Sequence, residues 1–453
     1  MTSSACCNRF RMKHLAACLA VAAIVLDHAA SAASGRVAAL EFPRVPVLPV
    51  TSCDDDGSPG TLRSVVAGAE SSAVIDLSEL TCSTISLANG AIVVPFESLT
   101  FVGPGSTHLS LDANQSYQRI VEHRGVGTLH ISGLRLSGGW APTTAYGGCI
   151  FSEGSVDLDD VAVVFCKAVG APGQPSKGGG IYAAGDLSLR HSIVSGNQSN
   201  PGSDGFGGGA FAGGGLYVYY TTVSNNYSLN LGSGGGFGGG LFALGNVNIV
   251  ASTISGNQAV NVGGLSIAGY AMSAAIVNST VAGNLATGFI AGVYSNTPLY
   301  VYNSTIAFNN AMQQSSSFVT AGGLQVYATS ADLESSIVAN NTAAGFAFDV
   351  GIGTGASVTG ANNLIRTASN LMPADTITDD PQLLPLQNNG GETATLALAS
   401  ASPAIDHGNI VNPSSYDQRG FGYVRVFGAA ADIGAYELQV VDFIFRNGFD
   451  GGM

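Results

Sequence analysis

The sequence predicts an all-β protein that winds as a single-stranded right-handed parallel β-helix, with a short N-terminal capping helix and an irregular C-terminal cap. Three observations favour this solenoid. Glycine is abundant, at 62 of 453 residues, and only 10% of the residues are charged. The central region repeats itself at intervals of 25 to 31 residues. Within each repeat, apolar and polar residues alternate over four or five positions and stop at Gly or Asn, which is typical of short strands.

The repeats open with glycines and close with asparagine. The clearest copies are GGGIYAAGDLSLRHSIVSGNQ from Gly178, GGGLFALGNVNIVASTISGNQ from Gly238, GGLSIAGYAMSAAIVNSTVAGN from Gly263 and GGLQVYATSADLESSIVANN from Gly322. The leucine ladder of leucine-rich repeats and the long amphipathic helices of ankyrin or tetratricopeptide repeats are both absent from the sequence. The glycine runs predict turns, because no GKS or GKT follows them as a phosphate-binding loop requires.

Equivalent residues of successive turns are expected to stack in rows, one turn about 4.8 Å above the next. A row of β-branched residues should face the core, and it consists of Ile193, Val223, Ile254, Val281, Ile306 and Ile337. The closing asparagines should form a second row, consisting of Asn197, Asn226, Asn257, Asn284, Asn309 and Asn340. Asparagine tolerates the left-handed conformation of a sharp turn, and its amide can bond the backbone and the next amide. We therefore interpret this row as a structural turn ladder rather than a row of ligand-binding amides.

The N-terminus is typical of a bacterial secretory signal peptide. A positive stretch ending at Lys13 precedes the apolar segment 15–26 and the small-residue site Ala30-Ser31-Ala32. The expected location is secreted or cell-surface, without a transmembrane span. The predicted division is signal peptide 1–32, linker 33–50, N-terminal cap and first coils 51–125, repeats 126–365, C-terminal end region 366–438 and tail 439–453. Helical spacing over 61–69 predicts the capping helix, with Leu62, Val65 and Val66 facing the core.

The chain has seven cysteines, of which Cys6, Cys7 and Cys18 belong to the signal peptide. An even number remains in an exported chain, which favours disulfides. These four cysteines are Cys53, Cys82, Cys149 and Cys166. Three pairings are possible, and we favour the local ones, Cys53–Cys82 and Cys149–Cys166. A zinc site is the alternative, but it lacks a CxxC spacing and a nearby histidine pair.

The charge of the chain limits its partners. The formal net charge of −14 argues against nucleic acid. No cofactor is predicted: calcium is the one candidate, and the run Asp54–Asp56 lacks the ligand spacing of a calcium loop. A solvated turn is the favoured interpretation of that run. The expected partners are glycans or cell-surface components, and the expected state is a monomer.

Two resemblances add to this interpretation. The segment SLTFVGPGSTHLSLDANQSYQRIVEHRGVGTLHISGLRLSGG, from Ser98 to Gly139, resembles the opening coils of bacterial pectin-lyase-like β-helix proteins, which are related to polymorphic outer-membrane protein repeats. The stretch CDDDGSPGTLRSVV is a partial match to the Cys-Ser-Leu-Arg-Glu-Ala leader of such proteins, retaining the leucine and Arg63. The segment from Asn388 to Glu437 resembles their "choice of anchor" end region. The resemblance implies a β-helix outside the cell, and fold alone does not give function.

Catalytic signatures are scarce. Beyond the predicted signal peptide, the Asn-x-Asp, Gly-His-Gly and Arg-x-Lys motifs of β-helix hydrolases do not occur. Asp159-Asp160 is therefore not accompanied by these motifs and is interpreted as an outward charged pair. His407 has no GxSxG motif with it and is interpreted as a turn residue. His123 and His130 are seven residues apart, so an unbroken strand would place them on opposite faces. No catalytic, metal-binding or cofactor-binding residue is therefore predicted.

Aromatic residues give the one positive signal for binding. The tyrosines that cluster or recur are Tyr217, Tyr219, Tyr220, Tyr227, Tyr300, Tyr302 and Tyr327. Exposed aromatic rings stack on sugars, although packing along the solenoid explains the pattern equally well. The leading hypothesis is an exported, non-catalytic interaction module that is adhesin-like or glycan-binding. The alternatives are a polysaccharide lyase or glycoside hydrolase with a non-standard site, and a purely structural spacer.

Overall fold

A computed structural model describes residues 45–141, 144–200, 202–229, 234–269, 273–314, 320–327, 330–369, 372–411 and 414–439. It confirms the all-β parallel solenoid, since nearly every strand pairs in parallel with the strand one turn away. The signal peptide, most of the predicted linker and residues 440–453 of the tail lie outside the described residues. Within the described part, no helix is long and apolar enough to cross a membrane.

The largest sheet has 21 strands and is bent lengthwise, so that each turn after the first contributes one strand to each half. We call it the bent sheet. Thr128–Ser137 and Ser155–Val164 span both halves. The other strands of the first half are Val47–Pro49, Val74–Asp76, Leu99–Val102, Leu187–Arg190, Leu216–Tyr219, Val247–Val250, Ala274–Val277, Leu299–Tyr302, Ser330–Glu334 and Ser357–Thr359. The other strands of the second half are Thr84–Ser86, Ser110–Asp112, Ile193–Ser195, Thr222–Ser224, Thr253–Ser255, Thr280–Ala282, Thr305–Ala307, Ile337–Ala339 and Leu364–Ile365.

Three further parallel faces complete the turns. The ten-strand sheet consists of Ile92–Val94, Val121–His123, Ile150–Ser152, Ile181–Ala183, Ala210–Ala212, Leu241–Ala243, Leu265–Ile267, Val293–Ser295, Leu324–Val326 and Val350–Ile352. The nine-strand sheet consists of Trp140–Ala141, Lys167–Val169, Gln198–Asn200, Tyr227–Ser228, Gln258–Ala259, Leu285–Ala286, Asn310–Ala311, Thr342–Ala343 and an antiparallel last strand, Phe346–Ala347. A three-strand sheet consists of Ser176–Lys177, Gly205–Phe206 and Gly236–Phe237.

The predicted β-branched row is present in the second half of the bent sheet, but two of its members were placed one residue too early. Val223, Ile254, Val281 and Ile306 are in register and fully buried. The register continues through Val194 and Val338. The prediction of Ile193 and Ile337 for this row is wrong, because a slip of one residue turns a strand side chain to the other face. Ile193 is 48% exposed, and Ile337 is buried outside the main core, against the C-terminal segment.

The asparagine row consists of Asn197, Asn226, Asn257, Asn284, Asn309 and Asn341, all buried. From Asn197 to Asn309, each side-chain oxygen accepts the backbone N–H of the residue one turn earlier, and each Nδ2 donates to the next side-chain oxygen. The placement of Asn340 in this row is wrong, since Asn341 holds the position and Asn340 bonds Arg366 at the surface. The row ends at Asp349, whose Oδ1 accepts from Asn341 Nδ2 at 2.9 Å.

The left-handed turn residue is the one that precedes each ladder asparagine. The sequence interpretation gave this conformation to the asparagine itself, and the structure corrects it. Positive φ angles occur at Gly196, Asn225, Gly256, Gly283, Phe308 and Asn340. The chain therefore bends first, which aims the following amide inward along the solenoid axis.

A second internal row was not foreseen, and it lies at the bend of the bent sheet. Its members are Ser192, Thr221, Ser252, Ser279, Ser304 and Ser336, with Asn363 at the end. Each side-chain oxygen accepts the backbone N–H of the row member one turn earlier, at 3.0–3.2 Å. Again the preceding residue has positive φ, as at His191 and Tyr220. The two rows satisfy backbone donors that the bends remove from the sheets.

The N-terminal end is closed by the helix Leu62–Ala67, which packs Leu62 and Val66 onto the core. Asp55, expected in a solvated turn, is instead only 8% exposed. It accepts two hydrogen bonds from Arg63 and two from the backbone N–H groups of residues 88 and 89. The chain contains both local disulfides: Cys53–Cys82 and Cys149–Cys166 have Cα–Cα distances of 6.4 and 5.5 Å.

The C-terminal region differs from the expected end cap. Residues 366–377 do extend the last turn through bridges to Val350 and Leu364. The rest runs back along the outer face of the bent sheet and contains the antiparallel pair Leu383–Gln387 and Thr395–Leu398. We call residues 383–438 the side segment. It is held by Thr253 Oγ1, which donates to the carbonyl oxygen of residue 394 at 2.6 Å, among other bonds across several turns.

Candidate functional site

A stack of aromatic rings lies on the outer side of the ten-strand sheet. Phe151, Tyr182, Phe211 and Phe242 are register partners on four successive turns. Neighbouring ring centroids are 5.4 to 5.5 Å apart, with interplanar angles of 6° to 11°. Each ring therefore covers the face of the next, and Phe211 and Phe242 are only 3% and 5% exposed. The stack stabilises the sheet by offset ring contacts of about 1 kcal/mol each.

The stack stops at Phe242, where the next turn has Ser266 in the same register position. The turn after that has Tyr294, and the following one has Gln325. The interruption opens a cavity of about 590 Å³, which we call the aromatic cavity. Its lining residues are Phe206, Phe237, Phe242, Asn261, Val262, Ser266, Ala268, Phe289, Ile290, Tyr294, Gln325 and Tyr327. A volume of this size is typical of sites for small molecules.

Two buried polar oxygens of the lining lack hydrogen-bond partners. Ser266 is fully buried and Gln325 is 1% exposed. Within the described residues, Ser266 Oγ and Gln325 Oε1 accept and donate no hydrogen bond. Gln325 Nε2 donates to the backbone oxygen of residue 326 at 3.3 Å, which is a long bond. Unsatisfied buried polar atoms cost about 1–3 kcal/mol each, so a hydrogen-bonding ligand in the cavity would gain from satisfying them.

The electrostatics of the aromatic cavity are neutral. All twelve of its described lining residues are uncharged at pH 7. Burial and the neighbouring Tyr327 raise the pKa of Tyr294, so its hydroxyl keeps its proton. Tyr327 is 46% exposed and stands at the mouth. The site thus offers aromatic faces, amide groups and hydroxyls without a charge to neutralise, which suits an uncharged ligand with apolar and polar sides.

A second, charged group of side chains lies on the outer side of the bent sheet, three turns long. His130 Nδ1 is 3.0 Å from Asp157 Oδ2, and Arg190 Nη2 is 2.9 Å from the same oxygen. Asp159 lies 3.8 Å from Arg190. A shallow cavity of about 340 Å³ adjoins them. Burial alone would raise the pKa of Asp157, but the hydrogen bonds from His130 and Arg190 outweigh it and lower the pKa to about 2.

The tyrosines singled out in the sequence do not form one site. Tyr217, Tyr219, Tyr300 and Tyr302 alternate on the outer face of the bent sheet, away from the aromatic cavity. Tyr220 stacks on His191 at the bend, with centroids 5.3 Å apart. Tyr227 lies in the nine-strand sheet. Only Tyr327 reaches the aromatic cavity, so the recurring tyrosines are distributed over separate faces.

The other candidate residues take structural positions. Asp160 is a bend residue whose Oδ1 accepts from Ser106 Oγ at 2.6 Å. His407 bonds the carbonyl oxygen of residue 405 within its own turn. His123 is fully buried against Ser152, and burial lowers its pKa. In the described part of the chain, no three His, Cys, Asp or Glu side chains are arranged to hold a metal ion.

The aromatic stack and its interruption were not predicted, although the repeats contain the signal. Aligning the copies on the glycine pair places Tyr182, Phe211, Phe242, Ser266, Tyr294 and Gln325 at the second position after the glycines. An aromatic residue at four of these six positions indicates a stack, and Ser266 indicates a gap. The sequence analysis grouped the tyrosines without using this register, and it therefore combined residues that lie on different faces of the solenoid.

Comparison with known proteins shows a distant likeness in structure alone. A scan of protein-family models finds no match, and no curated protein sequence matches. The fold is similar to that of the crystal structure of pectate lyase Pel9A, at 13% sequence identity and a TM-score of 0.41. The alignment covers 87% of this chain and 96% of that chain. Evidence on function therefore comes from the side chains described above.

Proposed function

We propose that this protein is a secreted or cell-surface β-helix that binds glycans in the aromatic cavity. The observation that carries the proposal is the cavity itself, with six aromatic side chains beside Asn261, Ser266 and Gln325 in an uncharged lining. Sugars have apolar C–H faces that pack on aromatic rings and hydroxyls that bond amides. The signal-peptide pattern at the N-terminus and the resemblance of residues 98–139 to surface β-helix repeats support a location where glycans occur.

The acidic surface is consistent with a neutral target. The formal net charge is −14, which disfavours a polyanionic chain such as unesterified pectate. A rigid solenoid also holds the wall formed by Phe242, Ser266 and Tyr294 in one shape, since each of their strands is paired on both sides. Such preorganisation reduces the entropy lost on binding.

A glycan array followed by titration calorimetry tests the proposal. The native protein is expected to bind neutral plant, algal or bacterial oligosaccharides. Tyr327→Ala should weaken the best of them about five- to tenfold, because a stacked ring contributes about 1 kcal/mol. Tyr300→Ala is the matched control, since Tyr300 is 39% exposed on another face. Silence across the array, or equal affinities for the two variants, contradicts the proposal.

A second candidate function is cleavage of a polysaccharide at the charged group on the bent sheet. It is favoured by one observation: His130 is oriented by Asp157, and Arg190 and Asp159 lie on the same or adjacent turns. A histidine held by a carboxylate can act as a general base, and an arginine can bind a uronate carboxylate. Release of products from polygalacturonate or alginate, abolished in His130→Ala, is the expected result. Absence of products from both substrates excludes this candidate for them.

A further inference from the structure

We propose that the sugar bound in the aromatic cavity is a single uncharged pyranose ring, seated between Phe242 and Tyr294 where the stack lacks a ring. This inference rests on the proposed function and names the part of the ligand that is recognised. It also assigns Ser266 as the residue that keeps the position open.

The register of the ten-strand sheet supports this placement. Tyr182 and Phe242 are two turns apart, and Phe211 fills the space between them. Phe242 and Tyr294 are likewise two turns apart, and the residue between them is Ser266. Two turns of a parallel sheet span about 9.6 Å, which in this protein is the space that holds one ring. The ring face of Phe242 that points towards Tyr294 therefore has no aromatic register partner on the next turn, unlike the rings earlier in the stack.

Among the side chains that the structure describes, none stacks on the face of Phe242 that points towards Tyr294. Phe206 meets Phe242 edge-on, at a centroid distance of 5.0 Å and an angle of 70°. Phe206 also stacks on Phe237, with ring centroids 5.7 Å apart, so Phe206 and Phe237 belong to the wall beside the gap. The gap remains part of a 590 Å³ cavity.

The polar atoms decide between chemical classes. A hydrocarbon ring would fill the gap but would leave Ser266 Oγ without a partner. A pyranose brings hydroxyl donors at its edge, together with an apolar face on each side. A uronate would bring a carboxylate into a lining whose described residues include no cation, and burying an unpaired charge is costly. These constraints together select a neutral sugar.

The test fills the gap. Ser266→Phe adds the missing ring to the stack, and Ser266→Ala keeps the gap open. We expect Ser266→Phe to retain the thermal unfolding midpoint and lose binding of the neutral oligosaccharide by at least about tenfold. Ser266→Ala loses only the hydrogen bond of the hydroxyl, so it should weaken binding a few-fold and clearly less than Ser266→Phe does. A folded Ser266→Phe variant that binds like the native protein overturns the inference.

A measurement on the native protein covers the case in which Ser266→Phe does not fold. Proton NMR of neutral methyl pyranosides should show upfield shifts for C–H protons on both faces of the sugar. Shifts on neither face, tighter binding of phenol than of any methyl pyranoside, or tighter binding of galacturonate each overturn the inference. If the native protein binds no glycan, the proposed function fails. If it binds and Tyr327→Ala weakens binding while Ser266→Phe does not, only the ring placement fails.

Discussion

Asn226 and Asn257 are joined by two hydrogen bonds to a single oxygen. Asn226 donates from its backbone nitrogen and from Nδ2 to Asn257 Oδ1, at 3.0 and 2.9 Å. Its Nδ2 also donates to the carbonyl oxygen of residue 194. Because both side chains are fully buried, none of these groups has water as an alternative partner.

Asn226→Ala should destabilise the protein by about 2–4 kcal/mol, since it leaves the N–H of Asn197 and a buried carbonyl without partners. Urea unfolding followed by circular dichroism measures the loss. The control is Asn225→Gly, at the exposed neighbouring position with φ +53°. Glycine adopts that conformation freely, so we expect a change below about 1 kcal/mol. Equal losses in the two variants would contradict the ladder.

The corrected register of the β-branched row makes a second prediction. Ile254→Ala should cost about 2–5 kcal/mol, because Ile254 is fully buried and its removal leaves a cavity. Ile193→Ala should cost less than about 1 kcal/mol, since Ile193 is 48% exposed. Both are the same substitution on equivalent strands. Denaturant midpoints compare them, and a larger loss at Ile193 would support the register first predicted from the sequence.

Gln418 should fasten the side segment to the solenoid. Its Oε1 accepts from Thr280 Oγ1 at 2.6 Å, and its Nε2 donates to Thr253 Oγ1 at 2.9 Å. Gln418→Ala leaves both hydroxyls without this partner, so the segment should open more often. Limited proteolysis is expected to cut within residues 383–438 several-fold faster than in the native protein. The protease should cut Gln387→Ala, a control at an exposed position of the same segment, at the native rate.

The ionisation of Asp157 should make the stability of the protein depend on pH. Its folded-state pKa of about 2 lies below the unfolded value. Its contribution to the free energy of unfolding is therefore full above about pH 4 and is lost as the pH falls towards 2. Native protein should exceed Asp157→Asn in stability by on the order of 1–2 kcal/mol at pH 7, allowing for solvent screening. The two should converge near pH 2. A difference that persists at pH 2 would refute the assignment, and Asp159→Asn, whose side chain is 49% exposed, serves as control.

The solenoid could be predicted from the sequence because its stacked rows require only that similar residues recur at a regular spacing. It misplaced Ile193 because residue type was matched without counting from the closing asparagine. It misplaced Ile337 because that residue lies three positions before Asn340, which was taken for the ladder asparagine in place of Asn341. The true row members lie three residues before the ladder asparagine, as Val194 does before Asn197 and Val338 before Asn341. At Asn340-Asn341 either residue suits a turn, and only the backbone shows that the first is left-handed. The right-handed winding stays a prediction from chain chirality.

The side segment and the aromatic cavity could not be predicted in the same way. The segment is held by contacts between residues more than 100 positions apart, such as Thr280 with Gln418. The sequence repeats do not predict these contacts. The cavity depends on which strand residues face outward and on walls from another sheet, as with Phe206 against Phe242. Local patterns give the strands, whereas the side on which each residue lies comes from register.

A crystal structure of the protein with a neutral oligosaccharide tests the central claim most directly. We expect one pyranose ring between Phe242 and Tyr294, with a sugar hydroxyl within hydrogen-bond distance of Ser266 Oγ. An oligosaccharide bound instead along His130, Asp157 and Arg190, with the aromatic cavity empty, would contradict it.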